Sequence, residues 1–174
     1  IDTGECFRLD KIRSFIVTYA NGEIVDAENT FAPWPKDVHS IQPASQPIND
    51  ILNLHHLESG QRFAQVTHGQ SIIKKADKYY YSTTLHNISE QRIRVLKFAG
   101  YQHISGNQYR LDTITQDYFT AEEFRSWYGM GQEEWIQPGQ MVTDKENYGG
   151  RGSLWAYFCC SETGEEFIVG EIVT

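Results

Sequence analysis

The run Leu154-Trp-Ala-Tyr-Phe-Cys-Cys160 constrains the fold of this 174-residue chain more than any other segment. Successive side chains of a strand point to opposite faces. Trp155, Tyr157 and Cys159 therefore face one way, and Ala156, Phe158 and Cys160 the other. A strand apolar on both faces has to be covered on both. The polar turn Glu162-Thr-Gly-Glu165 and a second apolar run, Phe167-Ile-Val-Gly-Glu-Ile-Val173, complete a pair of adjacent strands. The chain must fold as layered β structure.

Further strand signals surround this pair. Lys78 to His86 places Tyr79, Tyr81, Thr83 and Leu85 on one face; a polar turn at Asn87 to Gln91 leads into Arg92 to Phe98, and Gln108 to Ile114 is a shorter strand. The corner Pro138-Gly-Gln140 feeds another strand. Near the start, Phe15 to Tyr19 and Ile24-Val25 flank Asn21-Gly22, a hairpin signal because both turn residues tolerate positive φ. Between these regions Pro33, Pro35, Pro43 and Pro47 exclude a central strand or a long helix and suggest a connecting segment.

One or two short helices are expected. Ile48, Ile51, Leu52 and Leu54 form an apolar stripe after Pro47, with Gly60 as a stop. Thr120 with Glu123 makes a capping box, with Phe119 and Phe124 at the staple positions, Trp127 on the same face as Phe124, and Gly129 as terminator. The fold class expected is mainly β: an immunoglobulin-like antiparallel β-sandwich in the C-terminal half, an N-terminal β-hairpin region, and one or two short helices. The expected division is residues 1–65 for the hairpin region and 70–174 for the sandwich.

The net charge of −8 disfavours non-specific nucleic-acid binding, which depends on neutralising phosphates. Arg92, Arg94 and Lys97 form the best basic stripe, on what reads as an exposed strand face. No apolar run is long enough to span a bilayer, and no signal peptide opens the sequence. Cys6, Cys159 and Cys160 do not make a disulfide framework, which favours a reducing, cytoplasmic setting; secretion after loss of a signal peptide stays open.

The segment from about Lys78 to Val173 resembles bacterial immunoglobulin-like accessory domains. The likeness rests on Asn87-Ile-Ser89 before Ile93-Arg-Val95, on Pro138-Gly-Gln140, and on the aromatic strand at Trp155-Ala-Tyr157. It implies an interaction module rather than an enzyme, here an acidic one. A shorter likeness, Phe7-Arg-Leu-Asp-Lys-Ile12, resembles the strand near the end of WYL domains, which are bacterial regulators that sense nucleic-acid ligands. It implies a ligand-sensing alternative using Arg8 and Lys11.

Candidate sites follow from residue type. Trp127, Tyr128, Trp135 and Tyr148 are the aromatic candidates for a binding patch, because such rings bury large areas while offering a polar handle. Arg151, in Gly149-Gly-Arg-Gly152, is a candidate partner contact. The turn around Gly129-Met-Gly131 and the loop from Asp144 to Gly152 are expected near one end of the sandwich. Asp144, Glu146 and Asn147 form a loose candidate for Ca²⁺, although the EF-hand spacing is absent. His55, His56, Glu58 and His68 lack zincin spacing, and Cys159 has no neighbour that would activate it. A metal- or Cys-dependent hydrolase is the third alternative. The expected partner is another protein, with no cofactor; the oligomeric state is left open.

Overall fold

The computed structural model describes residues 14–19, 24–28, 38–43, 45–52, 58–69, 73–75, 78–112 and 118–174. The chain is mainly β, with antiparallel sheets and two short helices. A three-stranded sheet is formed by β1 (Ser14–Tyr19), β2 (Ile24–Glu28) and β3 (Val38–Pro43), in the order β2-β1-β3. The β1–β2 pair is the expected hairpin; Asn21 and Gly22 lie outside the described residues. β3 falls where only a connection was expected. Its edge position reconciles the two, since Pro43 has no N–H to donate and an edge strand has one side unpaired.

The next two elements are β4 (Gln46–Pro47) and α1 (Ile48–Leu52). They lead to β5 (Glu58–Ser59), to a 3-10 turn at Gly60–Arg62 where a helix stop was expected, and to β6 (Ala64–His68). β7 (Ile73–Lys75), β8 (Lys78–Asn87), β9 (Ile93–Ser105), β10 (Gln108–Leu111) and β11 (Phe119–Thr120) come next. After α2 (Ala121–Trp127) the chain ends with β12 (Met141–Gly149), β13 (Leu154–Ser161) and β14 (Glu166–Ile172). A seven-stranded sheet runs β4-β10-β9-β13-β14-β5, with β11 also on β9; β5 joins β14 in parallel and the other pairs are antiparallel. A four-stranded sheet runs β12-β8-β6, with β7 also on β8. β4, β5 and β6 are thus built into these sheets.

The two sheets share one core. Val66, Tyr81, Leu85 and Val142 from the smaller sheet meet Val95, Phe98, Trp155, Tyr157 and Cys159 from the larger. The opposite face of the larger sheet carries Ala99, Tyr101, Leu154, Ala156 and Phe158, covered by Ile51 and its neighbours on α1. All eight residues of β13 are buried, as its two-faced sequence requires.

β8 and β9 do not pair with each other. The turn at Asn87 carries the chain from one sheet to the other. Asn87 is fully buried, and its side chain is what makes the crossing affordable. Its Nδ2 donates to the carbonyls of Gln91 (2.8 Å) and Ile136 (2.9 Å), and its Oδ1 accepts from the N–H and hydroxyl of Ser89. Both donors and both lone pairs of the amide are therefore used.

Two β-bulges set which residues face the core. In β9, Cys159 pairs with Val95 but Phe158 with Lys97, so the inward series runs Ile93, Val95, Phe98. In β12, Asp144 pairs with Thr83 and Asn147 with Tyr81, so Asp144 and Asn147 both turn inward while Lys145 and Glu146 are exposed. An extra residue on one strand resets the two-residue period.

Candidate functional site

α2 begins as its sequence requires. Thr120 Oγ1 accepts from the Glu123 N–H at 3.2 Å, and the Glu123 carboxylate accepts from the Thr120 N–H at 2.6 Å. It ends with Gly129 at φ +68°, where a side chain would be strained, and with Met130 N–H donating to the Arg125 carbonyl. These two ends fix a seven-residue helix against β9. Phe124 and Tyr128 enter the core, and the Trp127 ring packs edge-on to Phe98 at 5.3 Å and against Phe119 at 4.6 Å.

Beside Trp127 the bulge of β12 opens a cleft of about 220 Å³ lined by Trp127, Asp144, Glu146, Asn147 and Tyr148. Asn147 joins the lining to a chain of hydrogen bonds in the core. Asn147 Nδ2 donates to Thr83 Oγ1 at 2.8 Å, and Thr83 Oγ1 lies 3.0 Å from His68 Nδ1. His68 Nε2 lies 3.1 Å from the Glu171 carbonyl. A carbonyl can only accept, so Nε2 carries the proton and Nδ1 accepts from Thr83. Burial holds the His68 pKa below its ordinary value, against the opposing pull of the Glu171 carbonyl, in keeping with a neutral ring.

Asp144 is only 9% exposed. Its Oδ1 accepts from the Glu146 N–H at 3.0 Å, and its other oxygen takes no hydrogen bond from a described residue. Burial pushes its pKa up, against the lowering effect of that N–H, and the nearby Glu146 charge adds to the rise. Behind it lie the buried phenols. Trp155 Nε1 donates to the Tyr81 hydroxyl at 2.8 Å, and the Tyr128 and Tyr157 hydroxyls meet at 2.5 Å. All three phenols are pushed well above the ordinary tyrosine range, chiefly by burial and partly by the Asp144 charge.

The expected site residues do not gather as one patch. Trp127 and Tyr148 both line the cleft, with Asp144, Glu146 and Asn147. Tyr128 is 4% exposed and belongs to the core, because the capping box orients its face of α2 inward. Trp135 lies elsewhere: Ile136 bridges Ile93 and accepts from Asn87, at the far end of β8. Tyr81 and Asn87 are about 20 Å apart at the usual rise per residue of a strand. Arg151 is exposed on the turn after β12. Asp144 to Gly149, expected as a loop, is strand.

Asp144 and Asn147 each commit an Oδ1 to backbone N–H groups, of Glu146 and Tyr148. Among the described residues no group of three His, Cys, Asp or Glu side chains is assembled around a common point. Cys159 is fully buried, and burial raises its thiol pKa, which disfavours the nucleophilic thiolate. Arg8, Lys11, His55 and His56 lie outside the described residues. The basic stripe is engaged with rings: Arg92 and Arg94 lie over Trp135 at 4.8 and 5.1 Å, and Lys97 over Tyr118 at 4.1 Å. The relay through Thr83 and His68 was not visible in the sequence; the only trace was Thr83 on the inward face of β8.

No helix among the described residues is long and apolar enough to cross a membrane. No family model matches the chain, and no curated protein does. A solved structure described as Northeast Structural Genomics Consortium target SoR45 aligns at 17% identity and a TM-score of 0.38, covering 64% of this chain and 80% of its own. That similarity is too low to bear on function.

Proposed function

We propose that this chain is a non-enzymatic protein-interaction module, of the immunoglobulin-like accessory kind carried by bacterial proteins, and that it engages its partner at the Trp127 cleft. One observation carries the reading. An aromatic ring and a buried carboxylate meet in a cleft on strand β12, at the edge of the smaller sheet, backed by a core on its inner side. Binding residues are commonly displayed this way, at the margin of a rigid scaffold. The buried, protonated thiol of Cys159 favours binding over nucleophilic catalysis, and the free thiols of Cys159 and Cys160, among the described residues, suit a reducing compartment.

Affinity purification with quantitative mass spectrometry tests the proposal. A partner held by the wild-type chain should be lost with Glu146→Lys, an exposed change that leaves the core intact, and kept with Trp135→Ala. Retention of every partner by Glu146→Lys would reject the cleft as the docking point.

A further inference from the structure

We infer that Arg94 and Trp135, on the outer face of the larger sheet, form a separate docking site for the carboxylate of a Glu or Asp side chain, presented by a protein other than the one held at the cleft. One bridge sets the placement. Ile93 and Ile136 exchange both backbone hydrogen bonds, at 3.1 and 2.8 Å, and both side chains are fully buried. The residues flanking such a pair point the other way. Trp135 and Arg94 therefore stand side by side on the outer face, each half-buried. Arg92 shares that face, and the guanidinium groups of Arg92 and Arg94 lie over the Trp135 ring at 4.8 and 5.1 Å.

The two guanidinium groups differ in one respect. Arg92 Nε donates to the Glu162 carboxylate at 3.1 Å, so that cation is held between an indole and a carboxylate. Arg94 has the indole alone. Its Nε is buried without an acceptor, and its two terminal nitrogens have no acceptor among the described residues and stay open to solvent. A charged donor drawn from water without a counter-charge is costly, and a carboxylate on the open nitrogens offsets that cost. Arg suits this task. Its planar fork matches a carboxylate, and stacking on the indole fixes the plane of the fork beforehand.

Charge narrows the occupant. Arg92 and Arg94 set against Glu162 leave one positive charge on the ring, which one carboxylate balances. Glu133 and Glu134 directly precede Trp135, and the net charge of the chain is −8. Both disfavour a nucleic-acid strand, whose binding depends on neutralising several phosphates together. A second copy of this chain would bring the same net charge and be repelled. A single acidic side chain fits the charge that is left. The site lies at the Asn87 end of β8, where Ile136 accepts from the Asn87 amide, so it does not rest on the Trp127 cleft being a docking point.

The test uses the full chain, with the Trp135 indole N–H followed by two-dimensional NMR. The probes are acetyl-Gly-Glu-Gly-amide, its neutral counterpart acetyl-Gly-Gln-Gly-amide, inorganic phosphate, and a short oligothymidylate. A saturable shift is expected with the Glu peptide, and about tenfold weaker binding for the Gln peptide. Arg94→Gln should abolish the response while the rest of the spectrum is preserved. Arg94→Lys, which keeps the charge and loses the fork, should weaken it severalfold. Glu146→Lys should leave it unchanged, so failure of the cleft reading is told apart from failure here. No saturable shift with the Glu peptide, equal binding by the Gln peptide, or a full response in Arg94→Gln would overturn the inference. Phosphate binding as tightly as the Glu peptide would reduce the site to a general anion contact, and tighter binding of the oligothymidylate would point to nucleic acid in place of a protein; either result overturns it.

Discussion

Two places along β8, its C-terminal end and its middle, each hold a buried polar side chain, and they treat it in opposite ways. At the end Asn87 uses every donor and lone pair of its amide, joining the inter-sheet turn to Gln91, Ile136 and Ser89. In the middle, Asp144 sits opposite Thr83 with one oxygen bonded and the other open to a cleft. A buried polar group that is fully satisfied specifies structure, because removing it strands its partners. One left half-satisfied lowers stability and is retained where it serves a ligand. On this contrast Asn87 is architecture, and the cleft at Asp144 is the surface we propose for binding.

The largest effect should come from the satisfied end. Asn87→Ala removes one of two hydrogen bonds at each of the Gln91 and Ile136 carbonyls and the Oδ1 acceptor of Ser89, and should cost about 2–3 kcal/mol in urea denaturation. A loss well under 1 kcal/mol would erase the distinction between the two places. Between them, Tyr157→Phe removes the hydroxyl that meets Tyr128 and should cost about 1 kcal/mol, with little change in volume.

His68 sharpens the contrast through pH. Its pKa is depressed in the folded chain, so the unfolded chain binds more protons below the ordinary value of 6.5. The stability that depends on a neutral His68 is therefore present above that pH and is lost as pH falls through the depressed value. Melting curves between pH 7.5 and 4.5 should show the wild type losing ground to His68→Gln on acidification, by a smaller margin than either substitution above. Parallel curves would remove His68 from the relay.

Much of the architecture was legible in the sequence because it rests on local rules. The two-faced β13, the inward face of β8 at Tyr81, Thr83 and Leu85, the Thr120 capping box and the turn at Pro138-Gly139 all follow from periodicity, capping and turn chemistry. Three features were not legible, and each depends on pairing between distant segments. The Asn87 turn reads as an ordinary connection, and only strand pairing shows that it changes sheets. β3 forms in a proline-rich stretch because β1 offers it an edge. The β12 bulge defeats alternation: a regular period after Val142 and Asp144 points Glu146 inward, whereas the extra residue exposes Glu146 and buries Asn147.

The candidate site was half legible for the same reason. Trp127, Tyr148, Asp144, Glu146 and Asn147 were each singled out by residue type, but as an aromatic patch and, separately, a cation loop. Their meeting depends on the bulge and on the placement of α2. Tyr128 and Trp135 shared the aromatic signal, and their positions in the core and at the opposite end of β8 are tertiary facts that composition does not carry.

The most direct test of the contrast is the stability of Asp144→Asn, compared with wild type by urea denaturation from pH 7 down to pH 4. Asn can still accept from the Glu146 N–H, so only the charge is removed. Because burial raises the Asp144 pKa, the folded chain holds its proton to higher pH than the unfolded chain. The penalty is therefore absent below the ordinary value of 3.8 and grows as pH rises through the raised value. The variant should be more stable than wild type at pH 7, by on the order of 1 kcal/mol, with the advantage fading toward pH 4. A variant less stable than wild type at pH 7, or a difference that ignores pH, would contradict the account.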